Sequence, residues 1–259
     1  MSEQWTAGDL YEPYVGRWSR LVAREFVPWL RVRRDCAWLD VGCGTGALCQ
    51  AILDLAWPGS VSGVDPSEAF VARARERVKG ADFEIGTAVD LPFPAGSFES
   101  VVSGLVLNFV PDHSRMAEEM RRAAKPGGTV ALYVWDYAGE MQLMRRFWDA
   151  AGELDPAARD LDEGARFPIC NPERLAALFR AAGLQDVQSR PIEVPTVFRD
   201  FDDYWTPFLS GQAPAPAYCV SLPEAGRARL RERLRETLPF ETDGSLRLKA
   251  RAWAVRGRT

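Results

Sequence analysis

Apolar positions along the chain switch between a helical period and short continuous runs, and this alternation predicts the order of its elements. Leu21, Val22, Phe26, Trp29 and Leu30 recur at helical intervals, so the first helix is expected to reach about Val32. Cys36-Ala37-Trp38 then opens a short apolar run of the kind that forms a buried parallel strand, followed by a helix over about 45–57. Val61 to Asp65 reads as a second strand, with Ser67 placed to cap an Arg-rich helix running to about Lys79. A third strand ends within 86–93, a fourth lies within 96–104, and a fifth covers 129–135. Between the last two, Pro111-Asp112-His113-Ser114 starts a helix with Met116, Met120 and Ala123 on one face. Met141, Leu143, Met144, Phe147 and Trp148 crowd two faces of a helix over about 139–151, a stripe that reads as core rather than ligand site. Residues 153–170 are acidic and broken by Asp155-Pro156 and Phe167-Pro168. A helix over 172–183 closed by its glycine, a sixth strand over 184–198 and a last strand over 246–255 complete the pattern. Residues 199–245 are an insertion: a short helix from Asp200, a Gly/Pro loop, and a helix carrying Arg227, Arg229, Arg231, Arg233 and Arg235. Leu230 and Leu234 interleave with those arginines, so the run is an amphipathic helix with a solvated face, an RNA-binding ridge being the alternative.

The chemistry concentrates at Leu39-Asp40-Val41-Gly42-Cys43-Gly44-Thr45-Gly46. Glycines at alternate positions let the backbone turn sharply out of a strand and let a ligand lie against it, while the following helix aims free N–H groups at that ligand. Asp65-Pro66 ends the second strand, where a carboxylate can accept both hydroxyls of a ribose. Asp40-x-Gly42-x-Gly44-x-Gly46 resembles the first motif of the class I S-adenosylmethionine-dependent methyltransferases, on the small-molecule branch that includes ubiquinone and menaquinone biosynthesis. Four further stretches resemble that family in order: Val61–Ser67, Gly86–Phe93, Gly96–Gly104 (with Glu99 where the family usually has Asp) and Lys125–Val130. Gly42, Gly44 and Ala47 with Asp65 also fit a dinucleotide fingerprint. Asp40, Gly46 and Asp90 argue for the sulfonium cofactor over NAD.

The resemblance implies an α/β fold: a three-layer αβα sandwich, Rossmann-like, with a seven-stranded, mostly parallel sheet whose last strand is antiparallel, plus a small helical cap. It implies S-adenosylmethionine as cofactor and S-adenosylhomocysteine as product. The implied cofactor contacts are Asp40, Gly42, Cys43, Gly44 and Gly46, Asp65 and Pro66, Ala88, Asp90 toward an adenine amine with Leu91 on the ring, and Ser103 and Gly104. An N-terminal segment over 1–34 is expected to act as a lid, with Tyr14 and Arg17 at the cofactor and Arg17 pairing with its carboxylate; the alternative is that both only tether the helix. The core is then 35–198 with 246–259, and 199–245 is a cap within one methyltransferase domain.

Ligands of open α/β sheets lie beyond the carboxyl ends of the strands, which puts Leu107, Asn108, Phe109, Trp135, Asp136 and Tyr137 near a methyl acceptor. Asp136 is the preferred candidate base and His113 the second. Phe198, Phe201, Tyr204, Trp205 and Phe208 gather apolar area in the insertion, so Tyr204 and Trp205 are expected to shape a pocket for a small, partly apolar acceptor. The alternative is a cap that only completes the core. Methyl transfer to an O, N or C nucleophile proceeds by in-line displacement, for which alignment matters more than a dedicated base.

Composition narrows the partners. A net charge of −4 offers no general basic field for nucleic acid, and no apolar run approaches the ~18 residues of a bilayer span. Five cysteines with no C-x-x-C and a single histidine give no metal cluster, and with no secretion signal at Met1–Trp5 they point to the cytoplasm. A small-molecule acceptor and a monomer or homodimer are expected; a cofactor-binding protein without catalysis is the alternative of another class.

Overall fold

The computed structural model describes residues 16–211 and 213–259. Helix α1 (Arg17–Leu30) ends two residues past an internal Pro28. Strand β1 (Ala37–Val41), helix α2 (Ala47–Leu55) and strand β2 (Ser60–Asp65) form the first strand–helix–strand unit. Helix α3 (Glu68–Arg77) follows, capped by Ser67, whose hydroxyl accepts from Phe70 N at 3.3 Å. Strand β3 (Asp82–Ile85) ends one residue before the stretch expected to hold its end. Then come strand β4 (Phe98–Gly104), helix α4 (His113–Ala123), strand β5 (Ala124–Trp135) and helix α5 (Gln142–Leu154). β5 begins five residues earlier than expected because its Lys125-Pro126-Gly127-Gly128 turn is taken up as an irregularity opposite Phe98 and Ser100, with Gly127 at φ +74°. Helix α6 (Glu163–Arg166), helix α7 (Pro172–Ala181) and strand β6 (Gln185–Phe198) lead into the insertion. There, helices α8 (Phe201–Trp205), α9 (Pro214–Ser221) and α10 (Glu224–Thr237) precede strand β7 (Leu246–Arg258).

Among the described residues seven strands form one sheet in the order β3-β2-β1-β4-β5-β7-β6. β1 pairs in parallel with β2 and β4, β2 with β3, and β4 with β5. β7 runs against its neighbours: Thr259 bonds to Gly128 near the start of β5, while Arg251 bonds to Asp136 just past its end. Glu99 ties the strands across their edge, accepting from Ala37 N at 2.7 Å and pairing with Lys125. No helix among the described residues is long and apolar enough to cross a membrane.

The described residues divide into two compact units. The glycine-loop unit comprises Ser19–Val134, Asn171–Ile192 and Ala252–Thr259. Its core holds Trp38, Leu39, Val41, Ile52, Val101 and Leu132, the inward faces that the short apolar runs foretold. The aromatic unit comprises 16–18, Trp135–Cys170 and Glu193–Arg251. Its core is a set of rings: Phe147 stacks on Phe208 at 4.4 Å, and Tyr204 meets Phe198 and Phe208 at 5.4 Å each. The helix over 142–154 thus belongs with the insertion. The Arg-rich helix has the solvated face expected of it, burying Leu230 and Leu234 while Arg231 pairs with Asp202 and Arg233 with Glu153.

Candidate functional site

At the end of β1 the chain turns on three glycines, and the structure separates their roles. Gly42, at φ +75°, donates to Val64 O at 2.8 Å, and the next amide, of Cys43, donates to the same oxygen at 3.0 Å. A Cβ at Gly42 would lie 2.5 Å from Val106 Cγ2, and one at Gly46 (φ +88°) would lie 2.6 Å from Val78 Cγ2. Packing alone therefore demands glycine at both. Gly44 is different, because at φ +52° its missing Cβ faces open space with nothing within 4 Å. A ligand has room to lie against the backbone there. α2 starts just beyond, with Gly46 at its N-cap and no side chain capping it, so its first amides point outward without a side-chain partner.

Two carboxylates flank this loop, and one of them, Asp65, braces it. Asp65 accepts from Gly44 N through Oδ2 and from Ser67 N through Oδ1, both at 2.9 Å. An ionised carboxylate has about four acceptor positions, so two amides leave capacity for two hydroxyls. Burial raises its pKa while the two amide bonds hold it down. Asp40 is 1 % exposed; its Oδ2 accepts from the Cys49 thiol at 3.3 Å, and its Oδ1 has no partner among the described residues. Burial, with the nearby negative charge of Asp65 acting the same way, pushes its pKa up to about 7 against the opposing thiol hydrogen bond. Cys43 is buried, and that burial pushes its thiol well up. Pro66 is exposed.

After β3 the chain bends through Thr87–Asp90, where Asp90 N donates to Thr87 O at 3.3 Å and Asp90 is exposed. Ala88 is half-buried. Leu91, expected to cover a ring, is packed inward and its amide donates to Glu119 Oε2 at 2.9 Å. Glu119 is buried and paired with Arg122, which in turn donates to the carbonyls of Leu91 and Phe93. Sequence reasoning missed this brace; its signal was Arg115, Glu119 and Arg122 at helical spacing beside the apolar Met116 and Met120 face.

The end of β4 is tightly tied and then strained. Ser103 donates to Val41 O at 2.6 Å, which fastens β4 to β1, and a Cβ at Gly104 would lie 2.6 Å from the Tyr133 hydroxyl. Leu105 then adopts φ +63°, an uncommon conformation for a side-chain-bearing residue that costs on the order of 1–3 kcal/mol and clusters at binding sites. Leu107–Phe109 forms one 3₁₀ turn. Within it Asn108 is 7 % exposed, and neither its amide nitrogen nor its oxygen has a partner among the described residues. Leaving such groups unmade costs about 1–3 kcal/mol, which a bound ligand would recover. Phe109 beside it is exposed. His113 opens α4, but the cap is Asp112, accepting from Arg115 N at 2.9 Å. Burial lowers the His113 pKa, with Asp112 opposing.

The remaining expected site residues belong to the aromatic unit, apart from Tyr14, which lies outside the described residues. The Arg17 guanidinium sits over Trp18 at 4.3 Å and Phe198 at 4.8 Å and pairs with Asp203 at 3.4 Å. That pair engages Nη1 alone; Nε and Nη2 have no hydrogen-bond partner among the described residues. Trp135 is buried, and Asp136 closes the turn after β5, accepting from Glu140 N at 3.0 Å with Arg251 at 3.5 Å. Its carboxylate is engaged on its own turn. Tyr204 is fully buried, its hydroxyl donating to Leu143 O at 2.9 Å, and Trp205 stacks on Phe201 at 6.2 Å. Both side chains are buried among the rings of their unit, as the alternative of a core-completing cap would have them.

A family profile described as a methyltransferase domain matches residues 39–132, from the glycine loop to the interior of β5. The demethylmenaquinone methyltransferase of Geobacillus stearothermophilus is 30% identical over 199 residues, spanning 68% of this chain and 80% of that protein. Among solved structures, the YcgJ protein of Bacillus subtilis superposes with a TM-score of 0.61 at 18% identity, covering 92% of this chain and 98% of that one. Phosphoethanolamine N-methyltransferase 2 of Haemonchus contortus, solved with S-adenosyl-L-methionine, gives 0.55 at 15% identity, covering 93% of this chain and 52% of that one. At such identities the two structures speak to the fold alone.

Proposed function

The chain belongs to the class I S-adenosylmethionine-dependent methyltransferase family, and on that premise we propose that its acceptor is a small, partly apolar molecule with an aromatic hydroxyl, of the reduced-quinone class. The enzyme's cofactor is S-adenosylmethionine. The residues fit it: Gly44 leaves open space against bare backbone, Asp65 keeps acceptor capacity for ribose hydroxyls, and Asp90 presents an exposed carboxylate. When bound, the cofactor supplies a methyl group already activated by its sulfonium.

The chain's own task is then to orient a nucleophilic O, N or C atom and keep water away. Asn108 carries the reading. A buried primary amide with neither polar atom partnered among the described residues, on a turn that follows a strained residue at the carboxyl end of β4, is suited to hold one hydroxyl of an otherwise apolar ring. The quinone-class preference comes from the relative named as a demethylmenaquinone methyltransferase. Where the acceptor must lose a proton, Asp136, which Glu140 N and Arg251 hold on one oxygen, and His113 are the candidates to take it.

The test is transfer of labelled methyl from S-adenosylmethionine to a panel of reduced quinones, phenols and amines, with product masses measured. The expected result is a singly methylated aromatic product. Asn108→Ala should lower kcat/KM for that acceptor at least about tenfold, as for a lost hydrogen bond in a dry site, with cofactor affinity unchanged. Tight cofactor binding with no methylated product from any acceptor would favour the non-catalytic alternative.

A further inference from the structure

A second concentration of chemistry lies in the glycine-loop unit at the carboxyl end of α1, beside the starts of β5 and β6 and the end of antiparallel β7. The glycine loop, Asp65 and Leu105 all follow the carboxyl ends of β1, β2 and β4, so this cluster is on the other edge of the sheet. Its centre is the half-buried Trp29. The guanidinium of Arg256 lies 4.7 Å from the indole centroid and that of Arg190 lies 5.5 Å from it. Arg256 also donates to the Trp29 carbonyl at the end of α1 and to Gln188 Oε1 at 2.8 Å. Arg258, two residues on, reaches Thr129 Oγ1 at 2.8 Å. Arg31 is exposed at the end of α1.

Ordinary structural roles account for Arg256 as a helix cap and Arg258 as a strand tie. They do not account for Arg190, whose Nε is buried with no hydrogen-bond partner among the described residues. Nor do they account for the missing counter-charge: among the described residues no carboxylate forms an ion pair with Arg31, Arg190, Arg256 or Arg258, in a chain of net charge −4. The like charges repel. Burial first, and then Arg31, Arg258 and Arg190, hold the Arg256 guanidinium below its ordinary range. Guanidiniums gathered around one indole without an acid are a fork-donor arrangement that matches tetrahedral oxoanions.

We propose that Trp29, Arg31, Arg190 and Arg256 form a second, non-catalytic site that binds a phosphate group, carried by a soluble phosphorylated molecule or by a phospholipid head.

The probes are inorganic phosphate, followed by calorimetry at low ionic strength, and vesicles of phosphatidylglycerol or phosphatidylcholine, followed by sedimentation, all with the full chain. Wild type should bind phosphate saturably, and Arg190→Gln, which removes none of the described hydrogen bonds, should weaken it about tenfold, as for a lost charge-assisted contact. S-adenosylhomocysteine affinity should not change. Binding to phosphatidylglycerol vesicles that phosphate competes away would assign the lipid source, and phosphate binding without vesicle binding the soluble one. Arg31→Gln, at an exposed position, gives the same readout if Arg190→Gln folds poorly. No saturable binding of either probe, equal binding by both variants, or displacement of phosphate by S-adenosylhomocysteine would overturn the proposal.

Discussion

In the glycine-loop unit the decisive contacts join backbone amides to short side chains at strand ends, as between Gly44 and Asp65, 21 positions apart. The aromatic unit instead closes on large rings from distant segments, as where Tyr204 reaches Leu143 across 61 positions. The first arrangement can be written as a spacing of glycines and acids, because each residue type is demanded by a local backbone requirement. The second has no such spacing, because a ring fills volume and many partners can supply it. The same residue class, a polar group on a buried surface, consequently means different things in the two units. Asn108 in the first has no partner among the described residues, whereas the hydroxyl of Tyr204 in the second is satisfied by Leu143 O.

This contrast makes ranked predictions. Tyr204→Ala should have the largest effect, about 3–5 kcal/mol of lost stability in urea unfolding, since it empties a fully buried ring position and removes the hydroxyl's bond to Leu143 O. A loss below about 1 kcal/mol would return Tyr204 to a ligand-lining role. Gly44→Val should act the opposite way. Its Cβ meets no atom, so the fold should lose only the roughly 1–2 kcal/mol of left-handed backbone strain, while S-adenosylhomocysteine titration should show binding abolished. A variant that unfolds instead would place Gly44 with Gly42 and Gly46 as a packing residue.

Asp65→Ala should weaken the same titration by about 1.5–3 kcal/mol, as for removal of a charged acceptor. Affinity equal to wild type would mean that Asp65 only braces the Gly44 and Ser67 amides. The smallest effect is a pH slope. With its folded pKa raised from 3.8 to about 7, Asp40 contributes stability that is fully present below about pH 4 and is lost as pH rises to about 7. Burial lowers the His113 pKa, which pulls the other way over part of that range, so the readout is the difference between wild type and Asp40→Asn. Their urea midpoints should move apart in the variant's favour from pH 5 to pH 8. Parallel pH profiles would show that Asp40 is ionised in the fold throughout.

The strand and helix order, the cap at Ser67, and the cluster of Gly42, Gly44, Gly46, Asp40 and Asp65 were legible in the sequence. Each follows from rules that act over a few residues: period, capping chemistry, and the backbone freedom of glycine. Tertiary structure alone decided which glycine faces open space, since Gly42 and Gly46 differ from Gly44 only in having Val106 and Val78 beside them. It decided that Asp203 meets Arg17, that Glu119 holds the Leu91 amide, and that Asn108 has no partner among the described residues. It also gathered Arg190 and Arg256 around Trp29 from three separate stretches of chain. A sequence specifies what each residue can bond to; which partner it meets is set by packing between segments far apart in the chain, where shape and volume select among many chemically equivalent choices.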